Sequence, residues 1–258
     1  LGYLLSRYRF PGRWIVDTNR GARYEATWLI MATGCLSVPK APEIPGQDRY
    51  RGAIYHTGRW PKDGVDFSGL DVGVIGTGSS GIQSIPQIAR QAKHVTVFQR
   101  TPNFSVPAWN APMDPEAERA AKADIPGRRE ALRWSDSGYL IEHNSEPVDG
   151  RPNEEVEREL ERRWRQGGFN LLHVYQDVLK DRRTNEIVAD FVRRKIRDTV
   201  RDRAVADKLC PTDHPFGTKR PCVDIGYYET YNRDNVTLVD LRETPIGSFT
   251  DTGIETGA

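Results

Sequence analysis

At 258 residues, with 37 Lys plus Arg against 36 Asp plus Glu, the chain can bury one large α/β core or two smaller ones, and its net charge of +1 gives no global field for nucleic acid or an anionic membrane. No run approaches the roughly 18 consecutive apolar residues that span a bilayer, and the N-terminus lacks the regions of a secretory leader, so the sequence reads as cytoplasmic. Cys35, Cys210 and Cys222 are odd in number and show no CxxC spacing, which argues for reduced thiols rather than a disulfide framework or a zinc site.

In chain order, "RWIVDT" (13–18) and, after a turn at Asn19 to Gly21, "YEATWLIMATG" (24–34) are β-branched and aromatic runs. They predict an antiparallel pair leading into a buried strand that ends at Ala32, Thr33 and Gly34. "SVPKAPEIPG" (37–46) carries three prolines and predicts an extended connector near a domain boundary. Residues 71–100 read strand ("DVGVIG"), glycine turn, helix ("GSSGIQSIPQIARQAK") and strand ("HVTVFQR"), the length of one βαβ unit. Ile82, Ile85, Ile88 and Ala89 share one helical face, with Pro86 inside the helix.

From about Asp114 to Leu209 the composition turns charged and helical. "NEEVERELERRWRQGG" (153–168) sets Val156, Leu160 and Trp164 on a four-residue step, with Glu154–Arg158 and Glu159–Arg163 as pairs on exposed faces and Gly167–Gly168 as the stop. A second helix is predicted through Leu171, Val174, Val178 and Leu179, and a third through Val188, Val192, Ile196 and Val200. The next buried strand is "NVTLVD" (235–240), so the helical block reads as an insertion between strands of one sheet. A hairpin turn at Thr250–Gly253 and a strand just beginning close the chain, which starts at Leu1; both ends predict a fragment.

In "VIGTGSSGIQ" (74–83), Gly76, Gly78 and Gly81 supply the three glycines of a dinucleotide turn: one for the bend, one for close approach to a pyrophosphate, one for helix-to-strand packing. Thr77, Ser79, Ser80 and Gln83 lie in this turn and the first helical turn, where ribose or pyrophosphate contact competes with helix capping for Ser79 and Gln83. An NAD site tends to carry an acid at the end of the second strand. Here the residues are Phe98, Gln99, Arg100 and Thr101, and the last two suit a 2′-phosphate, which favours NADPH. His94, His143, His173 and His214 have no metal-ligand spacing, so no metal is expected.

"YRGAIYHTGRW" (50–60) followed by Pro61 resembles the Baeyer–Villiger monooxygenase fingerprint FxGxxxHxxxW[P/D], met at Gly52, His56, Trp60 and Pro61, with Tyr50 in place of Phe. "ATGCLSVP" (32–39), "VFQRTPNFSVPAWNAP" (97–112) and "PFGTKRPCVDIGYYETYNRDNV" (215–236) are similar to the same family, nearest the phenylacetone, steroid and large-ring ketone enzymes. The resemblance implies an FAD- and NADPH-dependent oxidation of ketones to esters or lactones by O₂, through a flavin peroxide. It implies that Arg220 is the active-site arginine, that Lys219 joins Arg100 and Thr101 on the 2′-phosphate, and that Tyr50, Gly52, His56, Trp60 and Pro61 form a hinge between two nucleotide domains.

The implied fold is α/β, a three-layer Rossmann-like NADP domain with a helical insertion, joined to part of an FAD domain that contributes antiparallel strands. Residues 1–46, with Ala32, Thr33 and Gly34 on the flavin side, would end the first FAD segment. Residues 47–70 would be the linker, 71–245 the NADP domain with its insertion at about 114–209, and 246–258 the start of the return. The acidic partner of Arg220 is expected outside this sequence, as is the first FAD-binding glycine turn. Two other readings are an NADPH-binding module without turnover and a flavin-containing or N-hydroxylating monooxygenase; Trp60 followed by Pro61 speaks against the latter.

Overall fold

The computed structural model describes residues 3–4, 12–34, 38–135 and 138–257; Cys35, within one of the family-like stretches, lies outside them. The chain divides into two compact units, one ending at Pro42 and one beginning at Glu43.

The first unit is an antiparallel sheet of β1 (Tyr3–Leu4), β2 (Trp14–Thr18) and β3 (Arg23–Ala26) in that order, with Trp14 opposite Ala26 and Asp17 opposite Arg23. Arg23 Nε donates to Asp17 Oδ1 at 2.6 Å across the pair. The predicted hairpin is therefore present, but the buried strand after it is not: residues 27–34 form no strand, and Trp28 and Ile30 are 83% and 86% exposed. An apolar run becomes a buried strand only when a neighbouring strand takes its backbone groups, and no described strand pairs with this one.

The second unit opens with a short 3₁₀ turn (Thr57–Arg59) and then β4 (Asp71–Ile75), α1 (Ser79–Gln91) and β5 (His94–Gln99). β6 (Ser105–Pro107) leads to α2 (Pro115–Ala123), α3 (Ile125–Arg133), α4 (Asn153–Gln166), a 3₁₀ turn (Gly168–His173), α5 (Arg182–Thr199) and α6 (Arg203–Leu209). β7 (Cys222–Asp224), α7 (Tyr227–Thr230), β8 (Val236–Asp240), β9 (Ile246–Phe249) and β10 (Ile254–Thr256) complete it.

β4, β5 and β8 form a parallel sheet in that order, with Val74 opposite Val97 and Val97 opposite Leu238. β6 and β7 form a parallel pair, so the helical block leaves and re-enters through adjacent strands; β9 and β10 form an antiparallel hairpin closed by Thr250 N to Gly253 O at 2.9 Å. The architecture is thus mixed α/β, with parallel sheets and antiparallel strands.

α1 buries Ile82, Ile85, Ile88 and Ala89 in one core with Val95 and Val97 of β5. Each fully buried isoleucine contributes about 1.5–3 kcal/mol. Pro86 sits in the helix as predicted, and the last carbonyls of α1 are capped by Asn235, whose Nδ2 donates to Ala89 O and Ala92 O at 3.0 Å.

In the insertion, Val188, Val192, Ile196 and Val200 are buried along α5 as their spacing predicts. Three other expectations fail. Leu171, Val174 and Val178 are buried, but in a 3₁₀ turn and loop rather than an α-helix, because Gly167 and Gly168 set positive φ angles there and α5 starts only at Arg182; Leu179 is 60% exposed. Glu159 and Arg163 do pair, at 2.8 Å, yet Arg163 is only 1% exposed, because the segment before α4 folds over it and Glu142 offers its carbonyl. Glu154 and Arg158 make no ion pair. Among the described residues no helix is long and apolar enough to cross a membrane.

Candidate functional site

The glycine turn is built as its three glycines require. Gly76 holds a φ of +99°, open to glycine but strained for other residues, and its N–H donates to Phe98 O at 2.9 Å, which pins the end of β4 to β5. A Cβ on Gly81 would fall 2.3 Å from the Gly76 carbonyl oxygen, so the first turn of α1 rests directly on the strand end. A Cβ on Gly78 would meet nothing within 4 Å: the space above the helix N-terminus is open. Gly78 is the N-cap and no side chain caps the helix, leaving the first-turn N–H groups and the positive helix end for an anion.

Thr77 turns inward, 5% exposed, and its hydroxyl donates to Thr101 O at 3.1 Å. The glycine turn and the residues after β5 are thereby locked together. Arg100 and Lys219 are exposed, and neither has an ion pair or side-chain hydrogen bond among the described residues. Arg220 is likewise exposed, with its guanidinium carbon 5.9 Å from the Phe169 ring centroid. Most arginines of α4 and α5 sit on carboxylates, as Arg162, Arg163, Arg193, Arg194 and Arg197 do. These three cations at the site are left for something else.

Arg220 is brought near the turn by β7. Gln83 Nε2 donates to Val223 O at 2.9 Å, and Ser79 hydrogen-bonds the Cys222 thiol, which also accepts from Asn103 Nδ2 at 3.2 Å; burial pushes that thiol up. Both side chains thus join α1 to the strand that follows Arg220, rather than capping the helix. Ser80 takes part through its carbonyl, which accepts from Ser84 Oγ at 2.8 Å.

Several groups that shape this region carry no sequence signal. Asp224 is buried at the end of β7, accepting from Ser105 Oγ and from Tyr227 N (2.9 Å); burial pushes its carboxyl up. Asp213 bonds His214 Nδ1 at 2.6 Å, which holds its carboxyl below the usual range, and His214 packs edge-on against Phe104. Asn185 of α5 clasps the backbone of Phe216, three residues before Lys219. Some of them lie within the family-like stretches 97–112 and 215–236, but no local spacing marks their roles; tertiary contact brings them to the site.

The fingerprint stretch has its own logic. The Tyr50 ring lies over Gly52, where a Cβ would fall 2.3 Å from Tyr50 Cζ, and also meets Phe249 at 5.5 Å. His56 caps the 3₁₀ turn, its Nδ1 accepting from Gly58 N at 3.0 Å, and Trp60 stacks between Tyr55 and Phe67 at 5.9 and 6.1 Å. Pro61 O accepts from Gly64 N at 3.1 Å. Phe249 N donates to Pro45 O and Arg51 N to Asp251 O, so residues 45–51 are hydrogen-bonded to the β9–β10 hairpin. Ala32, Thr33 and Gly34 are exposed coil in the first unit, with Gly34 at a φ of +73°. No three His, Cys, Asp or Glu side chains among the described residues are grouped to hold a metal.

An uncapped helix end over a glycine turn is the arrangement that receives a nucleotide's phosphates, and residues 10–119 match the family model of the pyridine nucleotide-disulphide oxidoreductases. The chain is 43% identical, over 94% of its length and 46% of the relative's, to 2-oxo-Delta(3)-4,5,5-trimethylcyclopentenylacetyl-CoA monooxygenase of Pseudomonas putida. It is 40% identical, over 94% of its length and 44% of the relative's, to a Baeyer–Villiger monooxygenase of Pseudooceanicola batsensis. A crystal structure of OTEMO in complex with FAD and NADP superposes with a TM-score of 0.94 at 40% identity, covering 100% of this chain and 50% of that one. The chain is thus similar in sequence to Baeyer–Villiger monooxygenases, and it spans about half the length of the relatives it matches.

Proposed function

We propose that this chain is the NADPH-binding part of a Baeyer–Villiger monooxygenase that, with FAD and O₂, oxidises ketones to esters or lactones. The observation that carries the reading is the pairing of an open, uncapped helix N-terminus with two exposed cations, Arg100 and Lys219, that make no ion pair among the described residues. A pyrophosphate fits over Gly78, and a 2′-phosphate fits the side chains that follow β5 and precede β7.

In this reading Gly76, Gly78 and Gly81 shape the cradle, the first-turn amides of Ser79, Ser80 and Gly81 hold phosphate, and Arg100, Thr101 and Lys219 select NADPH over NADH. Thr77 and Gln83 act one step back, holding the turn against Thr101 and β7. NADPH supplies the hydride and FAD, when bound, the oxygen-activating ring. Arg220 supplies permanent positive charge: a guanidinium stays protonated at working pH, so it stabilises developing negative charge beside a carbonyl without a proton transfer.

On the flavin side we assign Ala32, Thr33 and Gly34. They are exposed, and Gly34 takes a left-handed backbone with a φ of +73°. Residues 1–46 then belong to the FAD domain, 47–70 to a linker hinged on Tyr50, Gly52, His56, Trp60 and Pro61, 71–245 to a Rossmann-like NADP domain, and 246–258 to the return. His56, its Nδ1 engaged by Gly58, serves the hinge and not the chemistry.

The test is Arg100→Ala in the full-length enzyme. Losing a charged hydrogen bond to phosphate costs about 1.5–3 kcal/mol, or roughly 10- to 100-fold in NADPH affinity, while NADH affinity stays level. Equal losses for both cofactors would refute the phosphate assignment, and no ketone-dependent NADPH oxidation in the unmodified enzyme would refute the activity.

A further inference from the structure

We propose that the helical insertion is a clamp for the loop bearing Lys219 and Arg220, and that Asn185 is its positioning residue; this rests on the cofactor reading above. Among the described residues Lys219 and Arg220 make no ion pair, and Asp213 feels the charge of Lys219 only from a distance, so where their charges sit is decided largely by the backbone that presents them. That backbone is held from the insertion at Phe216 and Gly217, just before Lys219.

Asn185, 6% exposed in α5, treats Phe216 as a strand would. Its Oδ1 accepts from Phe216 N at 2.9 Å and its Nδ2 donates to Phe216 O at 2.8 Å; the second amide hydrogen goes to Val178 O at 2.9 Å. The amide thus spends both donors and its acceptor on buried backbone groups, two of them on one residue of the loop. The Phe216 side chain is fully buried and meets Phe104 edge-on at 5.3 Å. Gly217 follows with a φ of +85°, wedged so that a Cβ would fall 2.7 Å from Leu172 Cδ2 and 2.6 Å from Leu179 Cδ2. Thr218 then closes a turn, its N and Oγ1 both on Pro215 O at 3.3 and 2.8 Å.

An asparagine that satisfies both backbone groups of a buried loop residue fixes that residue's position and orientation together. Alanine cannot, and leaves one donor and two acceptors buried without partners. The loop is preorganised before any ligand arrives, so the cofactor need not pay for ordering it. The insertion's second hold is the packing of Leu172 and Leu179 against Gly217, whose φ of +85° is strained for any other residue.

The experiment measures KM for NADPH and for NADH, with thermal unfolding, in the full-length enzyme carrying Asn185→Ala, Gly217→Ala, Lys219→Ala, or either loop change combined with Lys219→Ala. Asn185→Ala and Gly217→Ala perturb the same loop by different means, so either one that folds gives the reading. Each is expected to lower the NADPH-over-NADH preference about tenfold, the scale of one charged hydrogen bond. In the Lys219→Ala background the same change is expected to have almost no further effect on that preference, because Asn185 acts through Lys219. A lower unfolding temperature with unchanged preference would overturn the proposal, as would an equal loss of preference with Lys219 already removed. If Lys219→Ala alone leaves the preference unchanged, it is the cofactor reading that fails.

Discussion

Gly81→Ala tests the packing that makes the nucleotide cradle. In the interior of a helix this change gains about 1 kcal/mol, since alanine is the better helix former. Here the new Cβ would sit 2.3 Å from Gly76 O and 3.3 Å from its carbonyl carbon, where ordinary contact begins near 3.4 Å. Neither side can yield freely: Gly76 N is bonded to Phe98 O, and Ile82 and Ile85, the next anchors of α1, are fully buried. The helix start and the strand end must separate by about 1 Å, and overpacking of this kind costs about 1–3 kcal/mol. After the helix-propensity gain is offset, the expected net loss is up to about 2 kcal/mol, or as much as roughly 8 °C in unfolding temperature for a chain of this size. NADPH affinity should fall with it, because the first-turn amides leave their positions. Gly78→Ala is the contrast: its φ of −80° suits any residue and its Cβ meets only open space, so stability should change by no more than about 0.5 kcal/mol while the methyl occupies the phosphate's place. Calorimetry and NADPH fluorescence titration on the two variants should separate them, one losing stability and affinity, the other affinity alone. A Gly81→Ala protein with both properties intact would refute the packing argument, and a Gly78→Ala protein that binds NADPH normally would refute the cradle.

Two other predictions concern groups outside the cradle. Arg163→Ala should destabilise by about 3–5 kcal/mol in urea unfolding, since it strips Glu159 and Glu142 O of a guanidinium that is only 1% exposed, whereas Arg162→Ala, whose side chain is 40% exposed, should cost no more than about 1 kcal/mol; similar losses for both would show that burial is not what matters. Asp240, 3% exposed, accepts from Arg242 Nε at 3.0 Å, which holds its carboxyl below the usual range. Its stabilisation is therefore present above the ordinary Asp value and is lost as pH falls through the lowered one. Asp240→Asn should cost about 1–3 kcal/mol at neutral pH, and the gap to the unmodified protein should begin to close below about pH 4; a gap that stays constant as the pH is lowered further would contradict this origin.

What the sequence reveals of this site is what depends on neighbours in sequence. The glycine turn is legible because one βαβ unit is local: three glycines, a buried helical face and a valine-rich strand lie within residues 71–100, and each requirement acts over a few residues. The parallel alignment of β8 is legible for a similar reason, since "NVTLVD" has the composition of a buried strand and no other run after the insertion competes with it. The misreadings share one cause. "TWLIMATG" was apolar enough for a buried strand, yet strand formation belongs to a pair; Arg163 had the spacing of a surface pair, yet Glu142, some twenty positions earlier, lies against it and it is buried. The two Leu residues around Gly217 illustrate the same point from the other side. Leu179 read as part of a helical face with Leu171, Val174 and Val178, but the chain breaks at Gly167 and Gly168, and Leu179 instead closes with Leu172 on a glycine some forty residues later. Motif residues such as Lys219 and Arg220 can be recognised by type because their chemistry is carried by single side chains. The residues that aim them, Asn185, Gly217, Phe104 and Phe216, are distributed over more than a hundred positions, and their identities make sense only once the insertion has folded against the parallel pair β6–β7. An insertion that looks dispensable by composition is then the part of the chain that fixes where the site's positive charge is presented.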